Sequence, residues 1–189
     1  MSLELQLEAH KAVFEKLMFA VGEDFIKLAQ AAVTCLKNGH KIILMGNGGS
    51  AADSQHIAAE FVGQFKQKRK ALPAIALTTD TSILTALAND FGYECVFARQ
   101  LEALAKPGDL VIAITTSGDS KNITTALLMA KNKRLPTALL TGRDGGLAKL
   151  YSGINLIVPS DETSRIQEAH IFLGHCLIEQ VEKELRSEF

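Results

Sequence analysis

Two side chains that could carry proton transfer or bind a metal, His56 and Glu60, lie four residues apart in the segment GNGGSAADSQHIAAEF, which begins at Gly46. One turn of helix separates such residues, so both side chains project from one helical face. A His and a Glu at this spacing more often form an ordinary surface pair. The pair therefore indicates a site only together with other residues.

A second set of candidate groups, Gln167, His170 and His175, lies near the end of the chain. Gln167 and His175 are eight residues apart, about 80° from perfect alignment at 3.6 residues per turn, so they can share one broad helical face. The apolar sequence around His175 favours a core histidine, and we expect His170 to be structural. If the two helices met, His56, Glu60, Gln167 and His175 could ligate a divalent ion through nitrogen and oxygen atoms, which suits zinc.

The segment TTSGDS, residues 115–120, places four hydroxyl groups around a glycine at a predicted junction between a strand and a helix. Hydroxyls together with the N–H groups of a helix N-terminus form a neutral cradle for a phosphate monoester. The alternative is an ordinary capped turn, but four hydroxyls exceed what one cap needs. Neither a Walker A nor a GxGxxG pattern is present, which disfavours a nucleotide ligand.

The loop at Gly46–Gly49 follows the apolar run Ile42–Met45, which predicts a buried strand. Glycines allow backbone N–H groups to approach an anion or a sugar without a Cβ in the way. We expect Ser50 to be the N-cap of the next helix, with Asp53 at its third position, where a carboxylate suits the positive helix end.

Apolar strands that alternate with helices predict an α/β fold with a parallel sheet and right-handed crossovers. Ligands of such sheets bind beyond the carboxyl ends of the strands, where both polar loops fall. We expect a single domain over residues 1–189, with an α/β core at 39–189 that ends in one long helix at 161–186. Residues 1–38 are predicted to form two helices, at 3–21 and 23–36.

Composition excludes several classes of protein. The net charge of −1 argues against a nucleic-acid binder, and the basic run Lys66–Lys70 is interpreted as a solvated helix end. No run of about 18 apolar residues predicts a membrane span, and the N-terminus has no basic region of a signal peptide. Three scattered cysteines are typical of reduced thiols, so we expect a cytoplasmic protein.

Taken together, GNGGSAADSQHIAAEF, NDFG, TTSGDS, TGRDGG and RIQEAH with a later histidine resemble the phosphoheptose isomerases of the sugar isomerase (SIS) superfamily. The resemblance runs in register from about Val33 to the C-terminus. It implies a three-layer sandwich with a flavodoxin-like five-stranded parallel sheet, an N-terminal helical extension and a homotetramer. It also implies conversion of D-sedoheptulose 7-phosphate to D-glycero-D-manno-heptose 7-phosphate, a step in building lipopolysaccharide core or related glycans.

The resemblance further implies the roles of individual residues. One zinc per subunit would be bound by His56, Glu60, Gln167 and His175. Substrate would be bound by Asn47, Gly48, Gly49, Ser50, Glu60, Asn89, Asp90, Thr115, Thr116, Ser117, Ser120 and Gln167. Two residues depart from the family pattern: Asp119 replaces the usual Asn, so we expect its carboxylate to point away from a phosphate, and Gln64 stands where some members carry Arg.

Ketose–aldose isomerisation moves a proton between adjacent carbons through an enediol, and so needs a base, help at the oxygens and charge stabilisation. We predict Glu60 as the base and His175 as the acid–base partner at oxygen. The alternative is a non-catalytic SIS protein that binds a partner such as the replication initiator DnaA. The presence of both Glu60 and His175 favours the enzyme.

Overall fold

A computed structural model describes residues 2–186, and its centre is a five-stranded parallel sheet. The strands lie in the order β2-β1-β3-β4-β5, the flavodoxin-like order that the family resemblance implies. Strands β1, β3 and β4 are buried along their whole length, which explains the apolar sequences of β1 and β3 and the apolar centre of β4. The strands are β1 Ile42–Gly46, β2 Ala74–Ala76, β3 Leu110–Ile114, β4 Thr137–Thr141 and β5 Ile154–Ile157.

Helices cover both faces of the sheet, which confirms the three-layer prediction. Alternate residues of each strand point to opposite cores: Ile42 and Leu44 pack with α1, α2 and α6, whereas Ile43 and Met45 pack with α4 and α5. Two short 3₁₀ segments follow α3 and β4. The helices are α1 Leu3–Lys37, α2 Gly49–Val62, α3 Thr81–Phe91, α4 Val96–Leu104, α5 Lys121–Asn132 and α6 Thr163–Glu184, and the 3₁₀ segments are Tyr93–Cys95 and Ala148–Leu150.

The N-terminal region forms one helix of 35 residues, so the prediction of two helices is wrong. The predicted break fell at Gly22. The buried residues Val13, Leu17, Val21 and Leu28 keep helical spacing across it, and α1 packs along α6. A glycine inside a helix costs only about 1 kcal/mol relative to alanine. Continuous burial of this face outweighs that cost.

The helices that follow the neighbouring strands β1 and β3 pack on opposite faces of the sheet. Helix α2, after β1, packs on the face that carries α1 and α6, whereas α5, after β3, packs on the other face. Strands β1 and β3 are neighbours, so a crevice opens between their carboxyl ends. Both predicted polar loops border this crevice. No helix among residues 2–186 has the length and apolar character needed to cross a bilayer.

Candidate active site

The loop after β1 turns sharply at Gly48, whose φ of 56° is in the left-handed region that favours glycine. This turn starts helix α2 at Gly49, with Gly48 as the N-cap. The prediction of Ser50 as the N-cap is therefore wrong: Ser50 lies buried within the first turn, and its carbonyl accepts a hydrogen bond from the Ser54 hydroxyl at 2.8 Å. The cap at Gly48 also moves Asp53 beyond the first turn.

The side chains of His56, Glu60 and His175 meet between α2 and α6. The Nε2 atoms of His56 and His175 are 2.9 Å apart, and a Glu60 carboxylate oxygen lies 3.7 Å from the His56 Nε2. The side chain of His56 is 46% exposed and that of Glu60 is 24% exposed, so this group lines an accessible surface. His175 is half-buried rather than a core residue, which corrects the interpretation of its apolar surroundings.

Two glycines let α2 and α6 run close together in parallel. A Cβ on Gly49 would collide with the amide of Gln167, and a Cβ on Gly174 would come within 2.6 Å of the Ile57 side chain. These contacts place Gln167 at the start of α2. Because His175 is the residue after Gly174, the Gly174–Ile57 contact also places His175 opposite the middle of α2. The two predicted helices therefore meet in one chain, and His175 contacts the His56 of its own subunit.

Residues 66–70, interpreted above as a solvated helix end, have a different role at Arg69. Helix α2 ends at Val62, and the guanidinium of Arg69 is fully buried in an ion pair with Glu182 of α6 at 2.8 Å. Just before this run, the ring of Phe65 stacks on the His175 imidazole, with ring centroids 5.3 Å apart and an interplanar angle of 13°. Gln64 is exposed beside it.

The hydroxyl loop after β3 forms a turn around Gly118, which has a φ of 75°. The Ser117 hydroxyl accepts from the Asp119 N–H at 3.2 Å, and the Thr115 and Ser120 hydroxyls are 3.4 Å apart. Ser120 is the N-cap residue of α5, but its side chain caps no N–H group. The first N–H groups of a helix lack partners within the helix. The loop and helix end therefore present hydroxyls and backbone donors together, with Thr116 half-buried between them.

Asp119 points away from this cradle, as predicted. Its carboxylate accepts from the Leu147 N–H at 3.1 Å, and the Ala148 N–H donates to the Gly118 carbonyl at 2.9 Å. Asp119 thus ties the loop to the turn that follows β4. Its charge is partly satisfied at that turn rather than directed at a bound anion.

Two polar residues that the sequence analysis did not single out, Asn122 and Tyr93, connect the two loops. Asn47 and the buried Asn122 exchange side-chain hydrogen bonds of 2.8 and 2.9 Å, and the Tyr93 hydroxyl donates to Asn47 at 3.1 Å. Asn122 lies two residues beyond the hydroxyl loop, in the first turn of α5, which is the signal that could have marked it. Asn89 and Asp90 lie exposed on the last turn of α3, hydrogen-bonded to each other at 2.8 Å.

His170, predicted to be structural, is fully buried on the core side of α6. Burial lowers its pKa to about 4, an effect that the backbone of Thr141 opposes only in part. Asp53, by contrast, lies half-buried on α2. Burial raises the pKa of its carboxyl above the ordinary value, and the nearby His56 opposes this rise only in part. His170 is therefore held neutral at physiological pH and is distinct from His56 and His175, which meet between α2 and α6.

The donor atoms at the α2–α6 contact suit a small metal ion with nitrogen and oxygen ligands. Zinc–nitrogen bonds of about 2.0–2.1 Å in a tetrahedral site place two ligand nitrogens about 3.3 Å apart. The His56 and His175 Nε2 atoms, at 2.9 Å, need only a small separation to share such an ion. Among residues 2–186, no three His, Cys, Asp or Glu side chains are already arranged to hold one.

Comparison with known proteins identifies the relatives of this chain. A family model described as the SIS domain matches residues 7–142. The chain is 52% identical over 177 residues to the phosphoheptose isomerase of Aliarcobacter butzleri, covering 94% of each chain. It is 53% identical over 184 residues to that of Aquifex aeolicus, covering 94% of this chain and 96% of that one.

A solved structure agrees in both fold and length. The structure of a phosphoheptose isomerase from Francisella tularensis superposes with a TM-score of 0.92 at 35% identity, covering 96% of each chain. These relatives favour the isomerase over the non-catalytic alternative, in keeping with a carboxylate and two imidazoles that meet between α2 and α6. The chain belongs to the phosphoheptose isomerase family of SIS-domain proteins and is an aldose–ketose isomerase.

Proposed function

We propose that this enzyme converts D-sedoheptulose 7-phosphate to D-glycero-D-manno-heptose 7-phosphate at the crevice between β1 and β3, as a step toward lipopolysaccharide core or related glycans. The observation that carries the proposal is the meeting of Glu60, His56 and His175, one strand away from the hydroxyl loop. The names of the relatives supply the substrate class, because each is called a phosphoheptose isomerase. A base next to a phosphate cradle is what such a substrate requires.

Glu60 moves the carbon-bound proton. It removes a proton from C1 of the open-chain ketose, and the C1–C2 enediol forms as the electrons of the C1–H bond move toward the C2 carbonyl. Returning the proton to C2 gives the aldose. Glu60 is suited to this role because its carboxylate is partly shielded from water yet accessible from the crevice.

His175 carries the protons at oxygen. It gives a proton to O2 as the enediol forms and takes one from O1 as the aldehyde forms, so the reaction is balanced. The same group assists opening of the sugar ring. The packing of Gly174 against Ile57 brings α6 close to α2, so that His175 lies 2.9 Å from His56, whose Nε2 is in turn 3.7 Å from the Glu60 carboxylate.

The two polar loops hold the ends of the substrate. Thr115, Thr116, Ser117 and Ser120 bind the phosphate, with help from the N–H groups at the start of α5. At the reactive end, Asn47, Gly48, Gly49, Ser50 and Gln167 line the sugar. The Asn47–Asn122 pair fixes the distance between the two loops. Asn89 and Asp90 complete the site from the end of α3.

Zinc, one per subunit, is proposed as the resident metal, held by His56, Glu60, Gln167 and His175. When bound, zinc supplies charge stabilisation for oxygen atoms of the reacting carbonyl and enediolate. One nitrogen of His175 cannot hold a metal and carry a proton at once. His175 would therefore hold the metal with one ring nitrogen and carry the proton on the other.

We also propose that the chain forms one domain, that it assembles as a homotetramer, and that it works in the cytoplasm. Phe19 is 95% exposed and Met18 is 74% exposed on α1, and α3 has no buried residue among those described. Large apolar surfaces of this kind are typical of subunit contacts. Size-exclusion chromatography with light scattering tests the assembly, and a fully active monomer would contradict it.

The test of the reaction is direct. Purified protein is incubated with sedoheptulose 7-phosphate, and the aldose is detected by the NMR signals of its anomeric protons. We expect the aldose to accumulate to a fixed ratio with the ketose, and the same ratio to be reached from the aldose. A protein that binds the ketose phosphate but produces no aldose would contradict the proposal.

A further inference from the structure

Arg69 closes the end of the helix that carries the proposed base. Its guanidinium donates to the carbonyl of Glu60 at 2.6 Å, to that of Phe61 at 2.8 Å and to that of Gly63 at 3.2 Å. The last carbonyls of a helix have no partner within the helix. Arg69 satisfies these at the end of α2 and so fixes the backbone of Glu60 itself.

Glu182 holds the same segment from helix α6. Its carboxylate accepts from the Phe65 N–H at 3.0 Å, the Lys66 N–H at 3.1 Å and the Arg69 Nε at 2.8 Å. Burial alone would raise the pKa of Glu182, but these donors outweigh burial and hold the pKa below its ordinary value. A buried carboxylate with three donors and a buried guanidinium form a rigid connection between the two helices.

This connection places one aromatic ring against the proposed acid–base residue. The backbone of Phe65 is held by Glu182, and its ring lies parallel to His175. Glu182 is seven residues beyond His175, two turns along the same face of α6. The ring and the imidazole therefore belong to one packed unit, in which His175 faces His56 on one side and Phe65 on another.

We propose that Phe65, held by the Arg69–Glu182 pair, is a positioning residue that sets the orientation of the His175 ring toward α2. The inference rests on the proposed function only for the role of His175 in turnover. Phe65 touches neither substrate nor reacting atoms in this account. It acts by restricting rotation of the imidazole, which otherwise has a half-exposed position with room to turn.

The decisive variant is Phe65→Leu, because it removes the ring and leaves the buried ion pair intact. Replacing Arg69 or Glu182 alone would leave the other charge buried without its partner and would destabilise the fold. Misplacing a catalytic group by about 1 Å can cost about a hundredfold in rate. We expect kcat of Phe65→Leu to fall about tenfold to a hundredfold with KM within about twofold of wild type.

Two control variants make the result specific. Phe65→Tyr keeps the ring and should retain kcat within about twofold. Tyr151→Leu removes another partly buried ring, which lies at the opposite edge of the sheet. Like Phe65, Tyr151 has a lysine ammonium over the face of its ring. This variant should leave kcat unchanged. Wild-type kcat in a folded Phe65→Leu protein, or an equal loss in Phe65→Tyr, would overturn the proposal.

A readout that needs no turnover separates this inference from the proposed function. Nuclear Overhauser signals between the ring protons of His175 and His56 report the orientation of the His175 imidazole toward α2, so Phe65→Leu should change them and Phe65→Tyr should not. Unchanged His175 signals in Phe65→Leu would overturn the positioning role. If wild type produced no aldose while these signals changed as expected, the proposed function alone would fail.

Discussion

The phosphate cradle makes a quantitative prediction at Ser117. The Ser117 hydroxyl accepts from the Asp119 N–H, so its own proton is free to donate to a ligand. A hydrogen bond to a charged oxygen contributes about 1–3 kcal/mol. At about 1.4 kcal/mol per tenfold change, Ser117→Ala should raise KM for sedoheptulose 7-phosphate about fivefold to 150-fold.

The loss should fall on KM and leave kcat nearly unchanged, because the phosphate is remote from the reacting carbons and is held similarly throughout the reaction. Steady-state kinetics on the phosphorylated sugar, with binding of unphosphorylated sedoheptulose as a comparison, separates the cases. Ser152→Ala is the matched control, since it removes a local hydrogen bond to the Ile154 carbonyl at the opposite edge of the sheet. Equal losses for the two sugars would refute the assignment of this loop to the phosphate.

Three further predictions concern the histidines and the metal. His175→Gln should fold normally, by circular dichroism, yet lose about a hundredfold or more in kcat; near-normal turnover would remove His175 from the mechanism. Chelation of metal from the wild-type protein should lower kcat at least tenfold, with recovery on adding zinc, and full activity of metal-free protein would leave zinc without a catalytic role. In the folded protein the buried His170 has a pKa of about 4, whereas its pKa in the unfolded chain is about 6.5. Protonation therefore favours the unfolded chain, and the free energy of unfolding should fall by about 3 kcal/mol as the pH falls from about 6.5 to 4. Urea unfolding across this range should show a flatter pH dependence for His170→Gln, and equal slopes would contradict this account.

The sheet order, the positions of the two polar loops and the meeting of the two site helices agree with expectations from the sequence and its family resemblance. Buried strands have continuous apolar sequences, and the loops that follow them are rich in glycine and hydroxyls. Such features are local, so they can be recognised without knowing the rest of the fold. The observed ends of helices differ from the predicted ends where the local backbone turn or tertiary contacts decide them. The turn at Gly48, for example, starts α2 two residues before the predicted first helical residue.

Contacts between distant residues were not predictable in the same way. Arg69 lies in a run of lysines and glutamine typical of a solvated surface, and its partner Glu182 is 113 residues away. Only the preference of arginine over lysine for buried, multiply hydrogen-bonded sites distinguishes it from its neighbours. The continuity of α1 through Gly22 likewise depends on packing along α6.

The central claim, that Glu60 moves the carbon-bound proton, is tested most directly by the kcat of Glu60→Gln on sedoheptulose 7-phosphate. This substitution keeps the size of the side chain and removes the base. Glu102→Gln, an exposed glutamate on α4 paired with Arg99, is the matched control. We predict that Glu60→Gln folds and loses about a hundredfold or more in kcat while Glu102→Gln matches wild type. A folded Glu60→Gln protein with near-normal kcat would contradict the mechanism.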